Sequence, residues 1–349
     1  MTAKEKREKI LIIGTGGVGM IAALCLELNN NCDITCVVRS DYTKATKEGY
    51  KIESANYGVF ENWKPTNIVK SVEDAVQFGP FEFIVVCTKN IPDGPTPVNT
   101  FLEPVVTPII STIVLVQNGI DIEKECIASF PQNIFLSGVT LIGSTNMNCH
   151  VVQSGFDNLS VGCFYNNSNF TTEEHDAEAK KFISLYSNEK NNVSYDANVR
   201  LTRWKKLVYN SSINTCTAIV GLDFTRASMA NAKESIMRPA IKEIYKVAKS
   251  DGYEIPPEIE DVMLNISDGL FYSPSMLVDV KKNRLMELET ILGNPIRIAK
   301  KNNVDVPILN TLYNLLYMIQ FKLKEHNGLI KVDEIIDSSR KKEQYGNGF

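Results

Sequence analysis

The sequence predicts an α/β domain built on a parallel sheet, followed by an all-helical domain. In the first half of the chain, short apolar runs rich in β-formers alternate with helical segments, which is typical of parallel strands joined by crossover helices. A glycine-rich loop separates the first such run from the first helix. Beyond residue 197 the apolar residues recur at helical spacing, and no strong strand candidate follows.

The strands and helices of the first half can be placed in order. The helical segment MIAALCLEL follows the first of the predicted strands, which are KILIIG, ITCVV, FEFIVVC, STIVLVQ and IFLSGV. From about residue 147, VVQSGFDNLSVGCF predicts a pair of alternating strands. A helix near 173–188 and a last strand around VSYDANV complete this half.

The second half is punctuated by Gly252, the pair Pro256 and Pro257, Gly293 and Pro307. The helices predicted between these breaks span 199–221, 232–250, 257–267, 284–303 and 307–325. We therefore place a domain boundary between residues 196 and 197, which gives domains of 1–196 and 197–349.

Composition excludes several classes of function. A net charge of −4 provides no electrostatic footprint for nucleic acid or for an anionic membrane. The start, MTAKEKREKI, lacks the apolar core of a signal peptide, and no apolar run approaches the ~20 residues of a membrane span. Eight cysteines without a CxxC pair and three scattered histidines predict reduced thiols and no metal site. We expect a cytoplasmic protein with a small-molecule ligand.

The glycine loop predicts the ligand. GTGGVG places Gly14, Gly16 and Gly19 in GxGxxG spacing directly between a strand and an apolar helix. Glycines allow the backbone to turn sharply and to approach a pyrophosphate, whose charge then meets the N–H groups at the start of the helix. The alternative is a merely tight turn. In this context we expect the loop, from Gly14 through Thr15, Gly16, Gly17 and Val18 to Gly19, to bind a dinucleotide in a Rossmann-type domain.

Arg39 predicts which dinucleotide is bound. It lies 20 positions after Gly19, at the end of the second strand, where an NAD site usually has Asp or Glu for the adenosine ribose. A guanidinium suits a 2′-phosphate instead, so we favour NADP(H). A solvated surface charge is the alternative for Arg39. Asp41 lies close enough to keep NAD possible, although capping of the next helix, DYTKATKEG, is the favoured interpretation.

Two later strand ends should face the same crevice, because open α/β sheets bind ligands at the carboxyl ends of their strands. VVCTK ends in Lys89, and VLVQNG ends in Gln117, Asn118 and Gly119. An NG pair after a strand is often only a turn, which leaves both interpretations of Asn118 open.

A polar stripe interrupts the first helix of the second half. In WKKLVYNSSINTCTA, Lys206, Asn210 and Asn214 recur at a spacing of four, so on an α-helix they fan across only about 80°. Apolar residues border the stripe, with Ile213 and Val220 on one side, which is unlike a solvated face. Because Asn is a poor helix former, two of them in mid-helix suggest a functional use.

These residues together resemble the ketopantoate reductase family, whose members reduce 2-dehydropantoate to pantoate with NADPH. The resemblance covers roughly residues 9–320. It rests on GTGGVG, the Arg39 strand end, the strand with QNG, GVTLIGS, WKKLVYNSSIN and SPSMLVDVKKNRLMELETILGNP. It implies a Rossmann-type NADP-binding domain, a helical domain carrying substrate and catalytic residues, and an active site in the cleft between them.

The resemblance also implies roles for individual residues. Lys206 matches the catalytic lysine, whose ammonium would stabilise the developing alkoxide and donate the proton. Asn210 and Asn214 match substrate-binding asparagines, and Ser275 matches a substrate-binding serine. Glu287 matches an acid near the active site. Lys89, Asn118 and Ser144 match cofactor-contacting positions.

Without the resemblance, Lys206 and Glu287 would be interpreted as surface charges, and Ser275 as a helix cap.

Departures from the family pattern leave the substrate open. Phe224 and Tyr272 stand where further asparagines are expected, and Thr215 replaces a common proline. Two aromatic side chains in place of two amides would make the pocket more apolar. The alternatives to a ketopantoate reductase are a paralogue acting on another 2-oxo acid and a non-catalytic NADPH-binding protein. A homodimer formed through the helical half is compatible with the sequence.

Overall fold

The computed structural model describes residues 7–166 and 169–332. The chain divides into two compact units. Within the described residues, the first comprises 7–92 and 96–203, and the second comprises 93–95 and 204–332. The two compact units divide between Arg203 and Trp204. The boundary predicted between residues 196 and 197 separates two functional domains, and it stays a prediction.

The first unit is built on one mixed sheet, which confirms the predicted α/β class. The strand order is β4-β3-β9-β8-β7-β6-β1-β2-β5, and β10 pairs with β9. The β3–β4 and β8–β9 pairs are antiparallel, and the other pairs are parallel. The strands are β1 (Glu8–Ile13), β2 (Cys32–Val37), β3 (Tyr50–Ser54), β4 (Gly58–Trp63), β5 (Asn67–Val69), β6 (Phe83–Val86), β7 (Thr112–Leu115), β8 (Phe135–Met147), β9 (His150–Phe164) and β10 (Asn192–Tyr195).

Helices cover both faces of this sheet. Helix α1, with α6, buries one face in a cluster that includes Met20, Leu24 and Phe182. Shorter helices bury the other face around Leu102 and Cys126. Because helices cover both faces of the central strands, these strands are apolar along their whole length, as the sequence predicts. The helices are α1 (Gly17–Leu28), α2 (Tyr42–Glu48), α3 (Val72–Ala75), α4 (Val98–Leu102), α5 (Lys124–Ser129) and α6 (Thr172–Tyr186).

Two features of the sheet differ from the prediction. The segment predicted as a strand pair from about 147 forms one long strand, β9, which joins β8 through a two-residue turn at Asn148 and Cys149. Both turn residues have positive φ, as a type I′ hairpin turn requires. In addition, β3, β4 and β5 were not predicted. In β3 the buried Tyr50 and Ile52 alternate with polar residues, so no apolar run marks the strand.

The described part of the second unit is helical, as predicted. The bounds of two predicted helices need correction. The helix predicted at 257–267 spans only Glu258–Asn265, and the predicted helix 284–303 begins only at Leu288. The helices are α7 (Val199–Tyr209), α8 (Thr215–Val220), α9 (Phe224–Met229), α10 (Arg238–Ser250), α11 (Glu258–Asn265), α12 (Ser275–Lys281), α13 (Asn294–Lys301) and α14 (Pro307–His326).

Helix α7 begins in the first unit and continues into the second. Within the described residues, none of the helices is both long and apolar enough to cross a membrane.

Candidate functional site

The glycine loop follows β1, which lies between β2 and β6 in the sheet. The chain runs first to β2 on one side of β1 and later crosses to β6 on the other side. Gly14 has φ +101, and a Cβ there would lie 2.4 Å from the Thr88 nitrogen. A Cβ at Gly19 would lie 2.0 Å from the Gly14 carbonyl oxygen. These two glycines are therefore required by the close packing of α1 on β1 and on the segment after β6.

Gly16 and Gly17 have opposite surroundings. A Cβ at Gly17 would lie 2.3 Å from the carbonyl carbon of Ser144, so β8 packs directly on the start of α1. A Cβ at Gly16 would meet nothing within 4 Å. Gly16 is also the N-cap of α1, which has no side-chain cap and no acidic residue in its first turn. Open space beside uncapped N–H groups fits a bound anion such as a pyrophosphate.

Arg39 lies just beyond β2 and is exposed. Within residues 7–166 and 169–332, its guanidinium forms no ion pair, so it is available to a ligand phosphate. The interpretation of Asp41 as a helix cap needs correction. Asp41 occupies the N-cap position of α2, but its carboxylate accepts no capping hydrogen bond. Its backbone, at φ −94 and ψ 7, is not in the extended conformation usual for a side-chain cap.

Lys89 and Asn118 lie on the segments after β6 and β7, and both are partly buried. The Gln117 amide nitrogen joins these segments, because it donates to the Thr88 carbonyl oxygen at 2.9 Å and to the Thr88 hydroxyl at 3.1 Å. Since the Thr88 backbone also packs on Gly14, the glycine loop and both strand ends share one edge of the sheet.

Arg203 fixes this edge and was missed by the sequence interpretation. Its guanidinium is buried and cation–π stacked on Phe164, with 5.1 Å from Cζ to the ring centroid. Burial lowers its pKa to about 10. Five acceptors surround it: the Ser137 hydroxyl (2.7 Å) and the carbonyl oxygens of Gln117 (2.9 Å), Gly119 (3.0 Å), Leu115 (3.2 Å) and Gly138 (3.4 Å). An isolated arginine near a helix start gives no sequence signal of such a role.

The polar stripe of the second unit lies on a helix that changes type. Helix α7 continues into a π-helical turn, Asn210–Asn214, and then into α8. The uninterrupted α-helix assumed for the stripe is therefore wrong. π-Helical turns are frequent at functional sites because they widen a helix locally. The changed register also explains why Val220, expected among buried neighbours, is 52% exposed.

The two asparagines are brought together by this turn. The Asn214 amide nitrogen donates to the Asn210 amide oxygen at 2.8 Å and to the Ser275 hydroxyl at 3.3 Å. Asn210 and Asn214 are 6% and 2% exposed. The amide oxygen of Asn214 is buried and has no hydrogen-bond donor among the residues described. A buried acceptor without a donor is costly unless a ligand supplies one. Ser275 is exposed and is the first residue of α12, not its cap.

The predicted catalytic pair lies in the same unit. Lys206 is partly buried on α7, and Glu287 is 8% exposed in the non-helical segment before another π-helical turn, Glu289–Gly293. This turn packs against the π-helical turn at Asn210–Asn214, and so does a further one, Lys233–Met237.

Gln320 holds this non-helical segment in place. Its side chain accepts from the Met286 nitrogen at 2.9 Å and donates to the Met286 oxygen at 3.1 Å. These bonds replace helical ones, which explains why the predicted helix begins late.

The two aromatic departures have different environments. The Phe224 nitrogen donates to the Tyr272 carbonyl oxygen at 3.1 Å, so the two residues are neighbours. Phe224 is fully buried, and the Lys233 ammonium lies 5.2 Å from its ring centroid. Tyr272 is 47% exposed. Of this pair, only Tyr272 presents its ring at the surface.

Comparisons with known proteins agree with this arrangement. The family model described as ketopantoate reductase PanE/ApbA matches residues 10–166, and its C-terminal companion matches residues 198–320. An uncharacterised protein of Saccharomyces cerevisiae is 45% identical over 93% of this chain and 97% of its own length. A 2-dehydropantoate 2-reductase of Nostoc is 25% identical over 93% of this chain and 98% of its own.

The resemblance extends to a solved structure. The crystal structure of 2-dehydropantoate 2-reductase from Methylococcus capsulatus is 27% identical, has a TM-score of 0.73, and is matched over 90% of this chain and 97% of its own. The family predicted from the sequence motifs is thereby confirmed. This chain belongs to the ketopantoate reductase family, whose members are NAD(P)-dependent oxidoreductases.

Proposed function

We propose that this protein reduces a 2-oxo acid with NADPH and that 2-dehydropantoate is its substrate. The glycine loop from Gly14 to Gly19 would hold the pyrophosphate, and Arg39 would hold the 2′-phosphate. Lys89, Asn118 and Ser144 would contact the same cofactor. NADPH supplies a hydride to the 2-oxo carbon, which leaves negative charge on the former carbonyl oxygen.

Lys206 is the proposed proton donor. An ammonium beside the carbonyl oxygen stabilises the alkoxide as it forms and then transfers a proton to it, which yields the 2-hydroxy acid. Glu287 is proposed to orient this amine. The π-helical turn and the nearly buried Glu287 support the assignment, because they are an unusual and costly arrangement for residues without a function.

The buried acceptor of Asn214 is the observation that favours 2-dehydropantoate. Its amide oxygen needs a donor, while the carboxylate and ketone of a 2-oxo acid offer only acceptors. 2-Dehydropantoate also carries a hydroxymethyl group, whose O–H can donate to this oxygen. Asn210 and Ser275 would complete the hydrogen bonds to the substrate.

A matched pair of substrates tests this assignment. 3-Methyl-2-oxobutanoate is 2-dehydropantoate without the hydroxymethyl group. We expect the larger substrate to have a kcat/KM roughly 5- to 150-fold higher, as follows from about 1–3 kcal/mol for a buried acceptor left without a donor. Asn214→Ala should reduce this preference. Equal kcat/KM values in the wild type would contradict the proposal.

The exposed ring of Tyr272 favours a second candidate, the reduction of a 2-oxo acid with a larger apolar side chain. A panel of aromatic and branched 2-oxo acids decides between the two, after separate titrations with NADPH and NADH have established the cofactor. Exclusive activity on 2-dehydropantoate would reject the second candidate. Turnover of any 2-oxo acid would exclude a non-catalytic protein.

Lys206→Ala tests the proton donor. We expect kcat to fall by about 10²-fold or more, with NADPH affinity unchanged. Lys205→Ala removes a neighbouring charge from the same helix, about 100° away around its axis, and should retain nearly wild-type turnover. A Lys206→Ala variant as active as its control would refute the assignment.

A further inference from the structure

We infer that Asn146 is an additional cofactor-binding residue, whose amide oxygen accepts a hydrogen bond from the 3′-hydroxyl of the adenosine ribose of NADP(H). This inference rests on the proposed function, since it requires that the glycine loop binds that cofactor. Asn146 lies near the end of β8, outside every motif that the sequence interpretation singled out.

The side-chain amide nitrogen of Asn146 is already bonded to the glycine loop. Its nitrogen donates to the Thr15 carbonyl oxygen at 2.8 Å. Two residues earlier, the backbone of Ser144 packs on Gly17. Successive side chains of a strand alternate between its faces, so Ser144 and Asn146 share the face that meets the loop. Thr145, between them, is exposed on the opposite face.

The side-chain amide oxygen of Asn146 lacks a hydrogen-bond partner among the residues described. The Asn146 oxygen is buried and accepts no hydrogen bond within the described chain, and the Ser144 hydroxyl on the same face is also buried without one. Phosphate oxygens carry no proton to donate at neutral pH, whereas a ribose hydroxyl does. An unpartnered acceptor at this position therefore selects a sugar hydroxyl, while the Ser144 hydroxyl is suited to donate to a phosphate oxygen.

The neighbours of Asn146 indicate which sugar is involved. The Thr15 hydroxyl donates to the Val37 carbonyl oxygen at 3.3 Å, at the end of β2. Beyond Asn146, the hairpin turn brings the Cys149 thiol to 3.8 Å from the Asp41 carbonyl oxygen. Asn146 thus lies between the glycine loop and the end of β2, where Rossmann-type domains bind the adenosine ribose. In NADP(H) the 2′-oxygen carries phosphate, so the 3′-hydroxyl is the remaining donor.

Two adenosine ligands test this inference by calorimetry on the full chain: adenosine 2′,5′-bisphosphate and its 3′-deoxy analogue. We expect the wild type to bind the parent ligand roughly 5- to 100-fold more tightly than the analogue. In Asn146→Ala this discrimination should vanish. If Asn146→Ala acted only through the lost bond to Thr15, both ligands would bind more weakly by the same factor, and the ratio of their affinities would stay at its wild-type value. Thr145→Ala should keep the wild-type ratio.

The outcomes separate this inference from the proposed function. If the wild type binds both ligands equally, or if Asn146→Ala keeps the wild-type ratio, Asn146 does not bind the 3′-hydroxyl and the inference is wrong. If neither ligand binds the wild type, the proposed NADP site and this inference both fail. The comparison of ligands on the wild type needs no variant, so it holds even if Asn146→Ala does not fold.

Discussion

Alanine at Gly16 should weaken the binding of NADPH while changing the stability of the protein little. Gly16 has φ −68 and ψ −172, a conformation that any L-residue adopts, and a Cβ there meets nothing within 4 Å. Gly16→Ala should therefore change the free energy of unfolding by less than about 1 kcal/mol, because the gain of about 0.4–1 kcal/mol from a restricted unfolded chain is offset by the poorer N-cap preference of alanine. The same methyl group occupies the open space proposed for the pyrophosphate, so NADPH should bind at least about tenfold more weakly, or about 1.4 kcal/mol.

Gly17→Ala provides the matched control. Its Cβ would lie 2.3 Å from the carbonyl carbon of Ser144, within a sheet backbone that cannot move aside. We expect a loss of about 1–3 kcal/mol, as for an overpacked core. Urea unfolding measures stability, and NADPH fluorescence titration measures affinity. Wild-type affinity in Gly16→Ala would refute the proposed position of the pyrophosphate, and a loss of stability as large as that of Gly17→Ala would refute the description of Gly16 as unhindered.

Two further predictions concern buried polar groups of the first unit. Arg203→Met should lower the free energy of unfolding by about 3–5 kcal/mol, because five acceptors lose their donor. The control Lys205→Met should change it by less than about 0.5 kcal/mol. Urea unfolding measures both, and equal unfolding midpoints for the two variants would contradict the prediction. Burial raises the pKa of Asp157 above its ordinary 3.8, while the phenols of Tyr57 and Tyr186 donate to its carboxyl group. Its contribution to stability is thus complete below about pH 4 and is lost as pH rises through the raised pKa. The stability of the wild type relative to Asp157→Asn should therefore fall as pH rises above about 4, and a constant or rising difference in urea unfolding would contradict this.

The features predictable from the sequence are those that repeat a local pattern. Parallel strands buried on both faces must be continuously apolar, which is why β1, β6 and β7 are recognisable. The glycine loop is recognisable because its spacing lies between a strand and a helix. By contrast, β3 has polar residues on its outer face and is short, so it resembles a loop.

The features that the sequence could not predict depend on tertiary contacts. Arg203 is a buried centre of five hydrogen bonds, but its sequence neighbourhood is that of an ordinary helix start. Gln320 bonds to the backbone of Met286, 34 residues away along the chain, in the non-helical segment before Glu287. Asp41 stands at an N-cap position and yet does not cap. In each case the decisive partner lies far along the chain or is absent, and local propensity cannot indicate it.

The π-helical turn at 210–214 divides one helix into two segments with different phases. A π-helical turn accommodates an extra residue, so deletion of a single residue between Asn210 and Asn214 would restore regular α-helical geometry and leave the helix beyond in nearly the same phase. The two asparagines would then be three positions apart instead of four, still on one side of the helix but turned relative to each other around its axis. A member of this family that lacks one residue here would thus keep the phase of α8 and change the angle between its two asparagines. Alignments through this segment should accordingly permit a one-residue gap.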